Sequence, residues 1–480
     1  MATDAQAFVK EIPSKAEQFS EWYTAVCLKA ELADYSPVRG CMVVRPYGYA
    51  LWENMQRWLD DRFKATGHVA AYFPLFVPEA FLKKEAEHVE GFAPQVAWVT
   101  HGGEEQLAER LAVRPTSEAI IMPMYAKWIQ SYRDLPVLLL QWCNVVRWEK
   151  ATRLFLRTAE FLWHEGHTAH ATREEADAEC RTILEIYRQL LEDVLAIPVL
   201  VGKKPPSEKF AGGDWTYTLE ALMPDRQAIQ AGTSHFLGQN FAKAFGVKFL
   251  DRDNVEKPVW TTSWAVTTRL VGSLVMAHGD DRGLALPPRI APIQVVIVPI
   301  PGKEGETVRA AARALAERLR AVARVRLDDR DEYTPGWKFN DWEMRGVPLR
   351  VEIGPRDVAA SQAVLVRRTG GPKAAVALDG IEQTVAATLE EVQREYYARS
   401  KAFLDEHTLS VDTMEALEEA MRERRGFART NWCGDQACED AIRERTGASP
   451  RVIPLDDRPQ GTCLACGRPS TATVFYARAY

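Results

Sequence analysis

With 480 residues the chain has material for roughly two to four domains and a large core. Hydrophobic residues make up 46% and charged residues 26% of it, and the net charge of −6 excludes a global attraction to nucleic acid, leaving any such contact to a local basic surface. No apolar run approaches a membrane span and the opening Met1 to Gln6 stretch does not read as a secretory leader, so a cytoplasmic protein with no membrane or DNA partner is expected.

In chain order, helices are predicted over 47–65, 116–131 and 172–194, and strands over 69–73, 137–142 and 199–201. These strands are not regularly separated by crossover helices, so the first region, to residue 290, is expected to be an antiparallel sheet flanked by helices. Charge concentrates in 147–170: Arg147-Trp-Glu149, a polar turn from Lys150 to Arg153, Leu154-Phe-Leu-Arg157, and Glu160-Phe-Leu-Trp163-His-Glu165-Gly-His167. The runs 143–149 and 154–157 read as the two strands of an antiparallel hairpin about that turn. Period-two alternation puts Arg147 and Glu149 on one face, and likewise Trp163, Glu165 and His167 if the strand extends that far. Such a face suits a polyanion. Cross-strand ion pairs worth a few tenths of a kcal/mol each explain the same residues, and both readings stand at this point.

The segment 286–292, with three prolines, reads as a linker. Beyond it come strand 293–300, helix 306–323, strands 325–327, 349–353 and 363–368, and helix 382–403, the pattern of a small α/β domain over 291–407. A third unit, 408–480, is marked by cysteine. Of eight cysteines, Cys27, Cys41, Cys143 and Cys180 are scattered, whereas Cys433-x4-Cys438 and Cys463-x2-Cys466 form two close pairs. In a reducing compartment that spacing favours a structural zinc site, with free thiols as the alternative. Four thiolate ligands leave no open position, so the metal would hold the fold and do no chemistry.

Taken together, several runs resemble the class II aminoacyl-tRNA synthetases, specifically the prolyl branch of archaeal and eukaryotic type with a C-terminal zinc domain. They are Asp34-Tyr-Ser-Pro-Val-Arg-Gly, Phe73-Pro-Leu-Phe, Arg114-Pro-Thr-Ser-Glu118, Arg147-Trp-Glu149, the run from Phe155 to His167, Ala231-Gly-Thr-Ser-His235, Ser263-Trp-x-x-Thr-Thr-Arg269 and the run from Gly346 to Asp357. The resemblance covers essentially the whole chain. It implies an α+β catalytic domain over 1–290, an α/β anticodon-binding domain over 291–407 and a small α+β zinc domain over 408–480. The implied reaction joins L-proline to ATP, giving prolyl-adenylate and pyrophosphate, and passes proline to the 3′ end of tRNA(Pro).

Attack of a carboxylate on a phosphate demands fixed positive charge, which arginine supplies as planar, permanently charged donors. By family position Arg147, Arg157 and Arg269 are the ATP arginines. Glu149 and Glu160 are similar to residues for adenine and for metal or ribose. Thr158, Gln230, Thr233 and Thr267 look like further ATP contacts. Thr116 and Glu118 resemble the receivers of the prolyl ammonium, although Thr116 could equally cap the helix that follows Pro115. With Arg147, the residues Trp163, Glu165, His167, His235 and Ser263 would shape the proline pocket; without the family, the two histidines read as satisfied structural residues. No G-x-x-x-x-G-K-[ST] loop is present, so ATP must be held by side chains, with Mg2+ kept by the phosphates and by Glu160. Arg289 is a rival phosphate ligand whose linker setting favours a structural role.

The resemblance extends to Glu343, Arg350, Arg356 and Asp357 as anticodon contacts, chemically suited to single-stranded bases but also explicable as surface ion pairs. The run Gly67-His-Val-Ala-Ala-Tyr-Phe-Pro74 is similar to the first class motif and implies a homodimer. The stretch from Arg157 to Arg269 is filled by core elements, so no in-chain editing domain is expected. A proline pocket then distinguishes alanine by only about 1–3 kcal/mol per methylene. The terminal Tyr480 is similar to that of members whose tail folds back toward the site, although a free terminus frays by default. Two alternatives remain: a synthetase-like tRNA-binding or regulatory protein without aminoacylation, and a class II ligase for another small amino acid such as cysteine or threonine.

Overall fold

Seven strands of the first region lie in one sheet: β1 (Val69–Ala70), β2 (Val137–Val146), β3 (Glu160–His170), β4 (Leu200–Lys203), β5 (Trp215–Leu222), β6 (Ala228–Gly238) and β7 (Trp260–Thr267). The computed structural model describes residues 12–88, 95–149, 151–300, 302, 305–424, 426–456 and 459–480; the Met1 to Gln6 stretch and Lys150 lie outside the described residues. The second region forms a five-stranded sheet of β8 (Val295–Pro299), β9 (Val325–Leu327), β10 (Leu349–Ile353), β11 (Gln362–Arg367) and β12 (Ala374–Ala377), in the order β9-β8-β10-β11-β12. The third supplies β13 (Thr408–Ser410), β14 (Phe427–Trp432), β15 (Ser449–Pro454) and β16 (Ala472–Ala477).

These last four strands do not form a sheet of their own. They extend the first one into the order β13-β14-β16-β15-β4-β5-β6-β7-β3-β2-β1, antiparallel except at β13/β14 and β1/β2. At the junction Ile453 pairs with Lys203 and Pro454 with Gly202. A Cβ on Gly202 would come within 2.3 Å of the Ile453 carbonyl oxygen, so the bare backbone is what lets β15 close on β4.

The helix Arg173–Gln189 lies behind this sheet. Thr172 and Glu175 close a capping box at its start, and its buried face presents Cys180, Ile183 and Tyr187 to the sheet. The Tyr187 hydroxyl meets His164 Nε2 at 2.8 Å. Trp264 lies flat on β3 because residue 166 is glycine; a Cβ there would fall 2.1 Å from the indole.

Two expectations about the sheet need correction. The hairpin exists, with Val137 paired to Ala169 and Val146 to Glu160, but residues 154–157 are not its second strand. Leu154, Phe155 and Leu156 are all buried in the main core and Phe155 takes φ 60°, so the chain turns inward, and the returning strand begins only at Glu160. The strand expected over 69–73 is cut to Val69–Ala70 because the Phe73 N–H donates to the Gln141 side chain (2.9 Å) instead of to a neighbouring strand.

The 286–292 stretch between the two regions is packed against both. Leu286, Ile290 and Ala291 are buried in the main core, while Arg289 donates to the Asp193 carbonyl (3.1 Å) and to Glu390 (2.9 Å). Buried Arg368 of the second region reaches Asp280 with two bonds (2.8 and 2.6 Å). The helices Pro335–Met344 and Pro355–Ala359 went unpredicted, each opening on a proline that serves at a helix start and reads as a breaker in sequence. No described helix is long and apolar enough to cross a membrane.

Candidate active site

Register decides which side chains meet. His235 on β6 pairs with Ser263 on β7, which pairs with His167 on β3; Thr233 pairs with Ala265 and on to Glu165; Thr267 pairs with Trp163. Alternation therefore gathers Thr233, His235, Ser263, Thr267, Trp163, Glu165 and His167 on one face, while His164 and Trp264 turn to the core behind. That face floors a cavity of about 270 Å³. Its walls include Thr116, Glu118, Arg147, Glu149, Arg157, Thr158, Gln230 and Arg269, so the structure brings together every expected ATP or proline residue except Glu160. Glu160 is exposed at the start of β3, where its carboxylate accepts the Asn144 amide at 2.7 Å.

Two of the cavity's cations are held by backbone carbonyls. Arg147 donates to the Pro115 carbonyl (3.1 Å) and stands over the Trp163 ring at 5.5 Å, while Arg269 donates to the Leu156 carbonyl (3.2 Å). Among the described residues neither has a carboxylate in ion-pair contact. Arg269 is the first residue of the helix Arg269–His278, and its N–H is held by Thr267 Oγ1 at 3.0 Å. Burial lowers its pKa, and the nearby Arg147 charge lowers it further. Arg157 is instead paired with Glu149 at 2.8 Å. Two guanidiniums without direct ion-pair partners, lining one cavity, form a preorganised anion site.

Beside Arg147, within reach of its charge, lies an acidic and tightly wired group. Gln141 donates to Glu165 Oε1 (2.7 Å), Ser117 Oγ donates to the same oxygen, and His167 Nε2 lies 3.0 Å from Oε2. Thr116 Oγ1 donates to the Glu118 carboxylate, so Thr116 faces the site; the residue at the helix cap is Ser117. His235 is held by Thr216 (2.9 Å) and Thr233 (3.1 Å) and packs against Phe210 with ring centroids 4.6 Å apart. Burial, with the His167 and Arg147 charges, pushes His235 down to about 3, so it is neutral.

Burial alone would lower His167, but the Glu165 hydrogen bond and the Glu118 and Glu165 charges outweigh it and raise its pKa above the ordinary 6.5. Burial opposes ionisation of Glu165, yet its bonds to His167, Ser117 and Gln141 hold it below 4.5. The raised imidazole stabilises the fold fully below pH 6.5 and loses that contribution as pH rises through its folded value; the lowered carboxyl stabilises above pH 4.5 and loses it as pH falls through its own. The melting-temperature gap between the unaltered protein and His167→Gln is therefore expected to be widest between pH 4.5 and 6.5 and to narrow above it. A gap that stays constant from about pH 5 to about pH 9 contradicts the ionised pair.

Sequence reading missed Ser117, Gln141, Glu208, Phe210 and Thr216. Gln141 and Thr216 were within reach of alternation once their strands are paired, at Gln141 to Glu165 and Thr216 to His235. Glu208 and Phe210 lie in a turn-rich segment with no periodicity to read.

The four paired cysteines also converge, with all sulfurs within 4.8 Å of one another. Zinc–sulfur bonds of about 2.3 Å in a tetrahedron give edges of about 3.8 Å. Cys433 lies 3.6 Å from Cys438 and 3.7 Å from Cys466, so the set fits such an ion. Arg468 donates to Cys466 (3.2 Å) and pairs with Asp435, giving the sulfur cluster a cationic outer partner.

The expected anticodon residues are less tightly grouped. Arg350 forks onto Glu352 (3.1 and 3.0 Å), Asp357 accepts the Gly354 N–H (2.9 Å), and Arg356 is exposed beside it. Glu343 is turned toward the first region and paired with Arg282 at 2.7 Å. Tyr480 donates to Asp225 (2.6 Å) and its ring lies 5.8 Å from the Arg153 guanidinium, so the tail docks on the first region outside the cavity wall.

Family models match three stretches: the class II tRNA synthetase core domain (G, H, P, S and T) over 98–278, an anticodon binding domain over 294–388, and the prolyl-tRNA synthetase C-terminal domain over 414–480. The chain is 55% identical over 482 residues to a proline–tRNA ligase of Alkaliphilus oremlandii, with both chains covered in full. It is 57% identical over 488 residues to one from Symbiobacterium thermophilum, covering 99% of this chain and 100% of the relative. A third, from Natranaerobius thermophilus, is 53% identical over 483 residues with full coverage of both.

Proposed function

The chain belongs to the proline–tRNA ligase family of class II synthetases, and on that premise we propose how its residues divide the two-step reaction, ATP-dependent formation of prolyl-adenylate and transfer of proline to the tRNA 3′ end. The observation that carries this division is that Arg147 and Arg269, neither in ion-pair contact with a carboxylate among the described residues, line one cavity with the Glu118, Glu165 and His167 network, Arg147 lying between that network and Arg269 in electrostatic reach of both.

Proline lies with its ammonium toward Thr116 and Glu118 and its ring among Trp163, His167, His235 and Ser263, over the Glu165 floor. Its carboxylate then faces Arg147. The α-phosphate of ATP lies between Arg147 and Arg269, with Arg157 and Thr158 toward the departing pyrophosphate; Glu149 takes the adenine amino group, and Gln230, Thr233 and Thr267 line the nucleotide. No side chain need act as nucleophile, because the carboxylate oxygen attacks phosphorus and pyrophosphate leaves in line. The arginines stabilise charge that builds on the phosphate oxygens. Glu160, at the start of β3 beside the cavity, would be the carboxylate to hold nucleotide-bound magnesium once released from Asn144, and the ion would neutralise phosphate charge there. The neutral His235 adds shape without competing for the ammonium.

We place the domains at 1–290, 291–407 and 408–480, which keeps each family match whole. Arg350, Arg356 and Asp357 are taken as anticodon contacts for tRNA(Pro), with Glu343 joining after release from Arg282. The four cysteines hold a structural zinc. A homodimer is supported by β1, which is the sheet's edge, and by Val69, Tyr72 (71% exposed) and Phe76 around it. Residues between Arg157 and Arg269 are used up by β3, the helix behind it and β4 to β7, so no in-chain editing is proposed. The setting is cytoplasmic.

A crystal structure with a non-hydrolysable prolyl-adenylate analogue tests the division. The phosphate-mimicking group is expected against Arg147 and Arg269 and the pyrrolidine ring beside Trp163 and His235. A ring bound beside Arg269 and Leu156, away from Trp163 and His235, would overturn it.

A further inference from the structure

The segment joining β4 to β5 carries Glu208 and Phe210 into the cavity wall, where Phe210 packs on His235. Within the catalytic region it is tied by turn bonds, with Lys209 Nζ donating to the Gly213 carbonyl (2.7 Å) and the Glu208 N–H to the Pro205 carbonyl (3.0 Å), and by the Phe210 N–H to Thr216 Oγ1 (2.9 Å) and the Asn240 amide to the Gly212 carbonyl (2.9 Å). Its outer side is held by the C-terminal unit. The Ser207 hydroxyl lies 2.7 Å from both carboxylate oxygens of Glu439, which is fully buried. Arg443 bridges Glu439 (2.9 Å) and Glu208 (3.3 Å). Arg451, on β15, meets Glu220 at 3.0 Å and Glu208 at 3.8 Å, and Lys204 completes the cluster on Glu220 at 2.6 Å.

These are not exposed pairs of negligible worth. Glu439 and Glu220 are fully buried, and removing one partner of a buried charge leaves the other uncompensated. Contacts made 230 or so residues later in the chain therefore fix where a pocket wall stands.

We propose that Glu439 and Arg451 are positioning residues for amino-acid activation, holding Ser207 and Glu208 so that Phe210 stands over His235 and closes the proline end of the cavity. The C-terminal unit then sets proline affinity without touching substrate. The inference rests on the reading of that end as the proline site.

The test is proline-dependent ATP–pyrophosphate exchange by the full chain as Glu439→Gln, Arg451→Met, Arg451→Lys and Ser207→Ala, each checked by thermal unfolding. The KM for proline is expected to rise about tenfold in Glu439→Gln and Arg451→Met, with kcat and the KM for ATP within about twofold. Arg451→Lys should recover part of the loss. Ser207→Ala, which probes the same contact from the catalytic side should Glu439→Gln not fold, should match it, and the double variant should be no worse than either single. An unmoved proline KM in folded Ser207→Ala and Arg451→Met overturns the tether alone, as does an equal loss of kcat and of both affinities. No exchange with proline in the unaltered chain overturns the pocket reading, and the tether with it.

Discussion

Arg269→Ala is expected to lower proline-dependent ATP–pyrophosphate exchange by roughly 10³-fold while the protein stays folded. Among the described residues the guanidinium donates one hydrogen bond, to the Leu156 carbonyl, and it sits close to another positive charge, so the ligand-free fold gains little from it. Its value appears when a polyphosphate arrives and charge moves onto the phosphate oxygens. Removing such a donor in a water-poor site costs far more in rate than in stability. The melting temperature should stay within a few degrees of the unaltered protein, because relief of repulsion from Arg147 offsets lost packing. Full exchange activity in the variant would remove Arg269 from the nucleotide site; a collapsed melting temperature would make it structural.

Loss of metal should act in the opposite way, through the fold. Cys433→Ser is expected to abolish stoichiometric zinc and to lower the melting temperature of the C-terminal unit by roughly 10 °C or more. The unit has its own apolar cluster, including Leu417, Ile442, Val474 and Tyr476, so it should loosen without ceasing to fold. Cys438 belongs to the same helix, Gln436–Thr446, as Glu439 and Arg443, and its loosening should therefore reach the cavity wall. Metal analysis beside calorimetry checks this: protein that carries no zinc as purified and melts as one unit with Cys433→Ser contradicts it.

The chemistry of the site was more legible in sequence than its assembly. Alternation along β3 put Trp163, Glu165 and His167 on one face, and family position brought Arg269 to the same site. That Ser263 lies between His235 and His167 depends on pairing segments nearly a hundred residues apart, which no local pattern encodes. The apolar run at 154–157 had strand composition, but Phe155 takes φ 60° and the run packs into the main core, so tertiary packing won over propensity. The joining of β15 to β4 was invisible for the same reason: its one local mark, Gly202, acquires meaning only when a neighbouring backbone is known to approach. Glu343 looked like Arg350 and Asp357 in sequence, and only the Arg282 contact sets it apart.

The central claim is that this cavity activates proline, and amino-acid-dependent ATP–pyrophosphate exchange by the unaltered chain tests it most directly. Proline is expected to give the highest kcat/KM in a panel with alanine, cysteine and threonine, with alanine lower by roughly 10- to 200-fold, the range that lost apolar contact allows. Absence of exchange with proline, or a kcat/KM for any other amino acid equal to that for proline, would contradict the account.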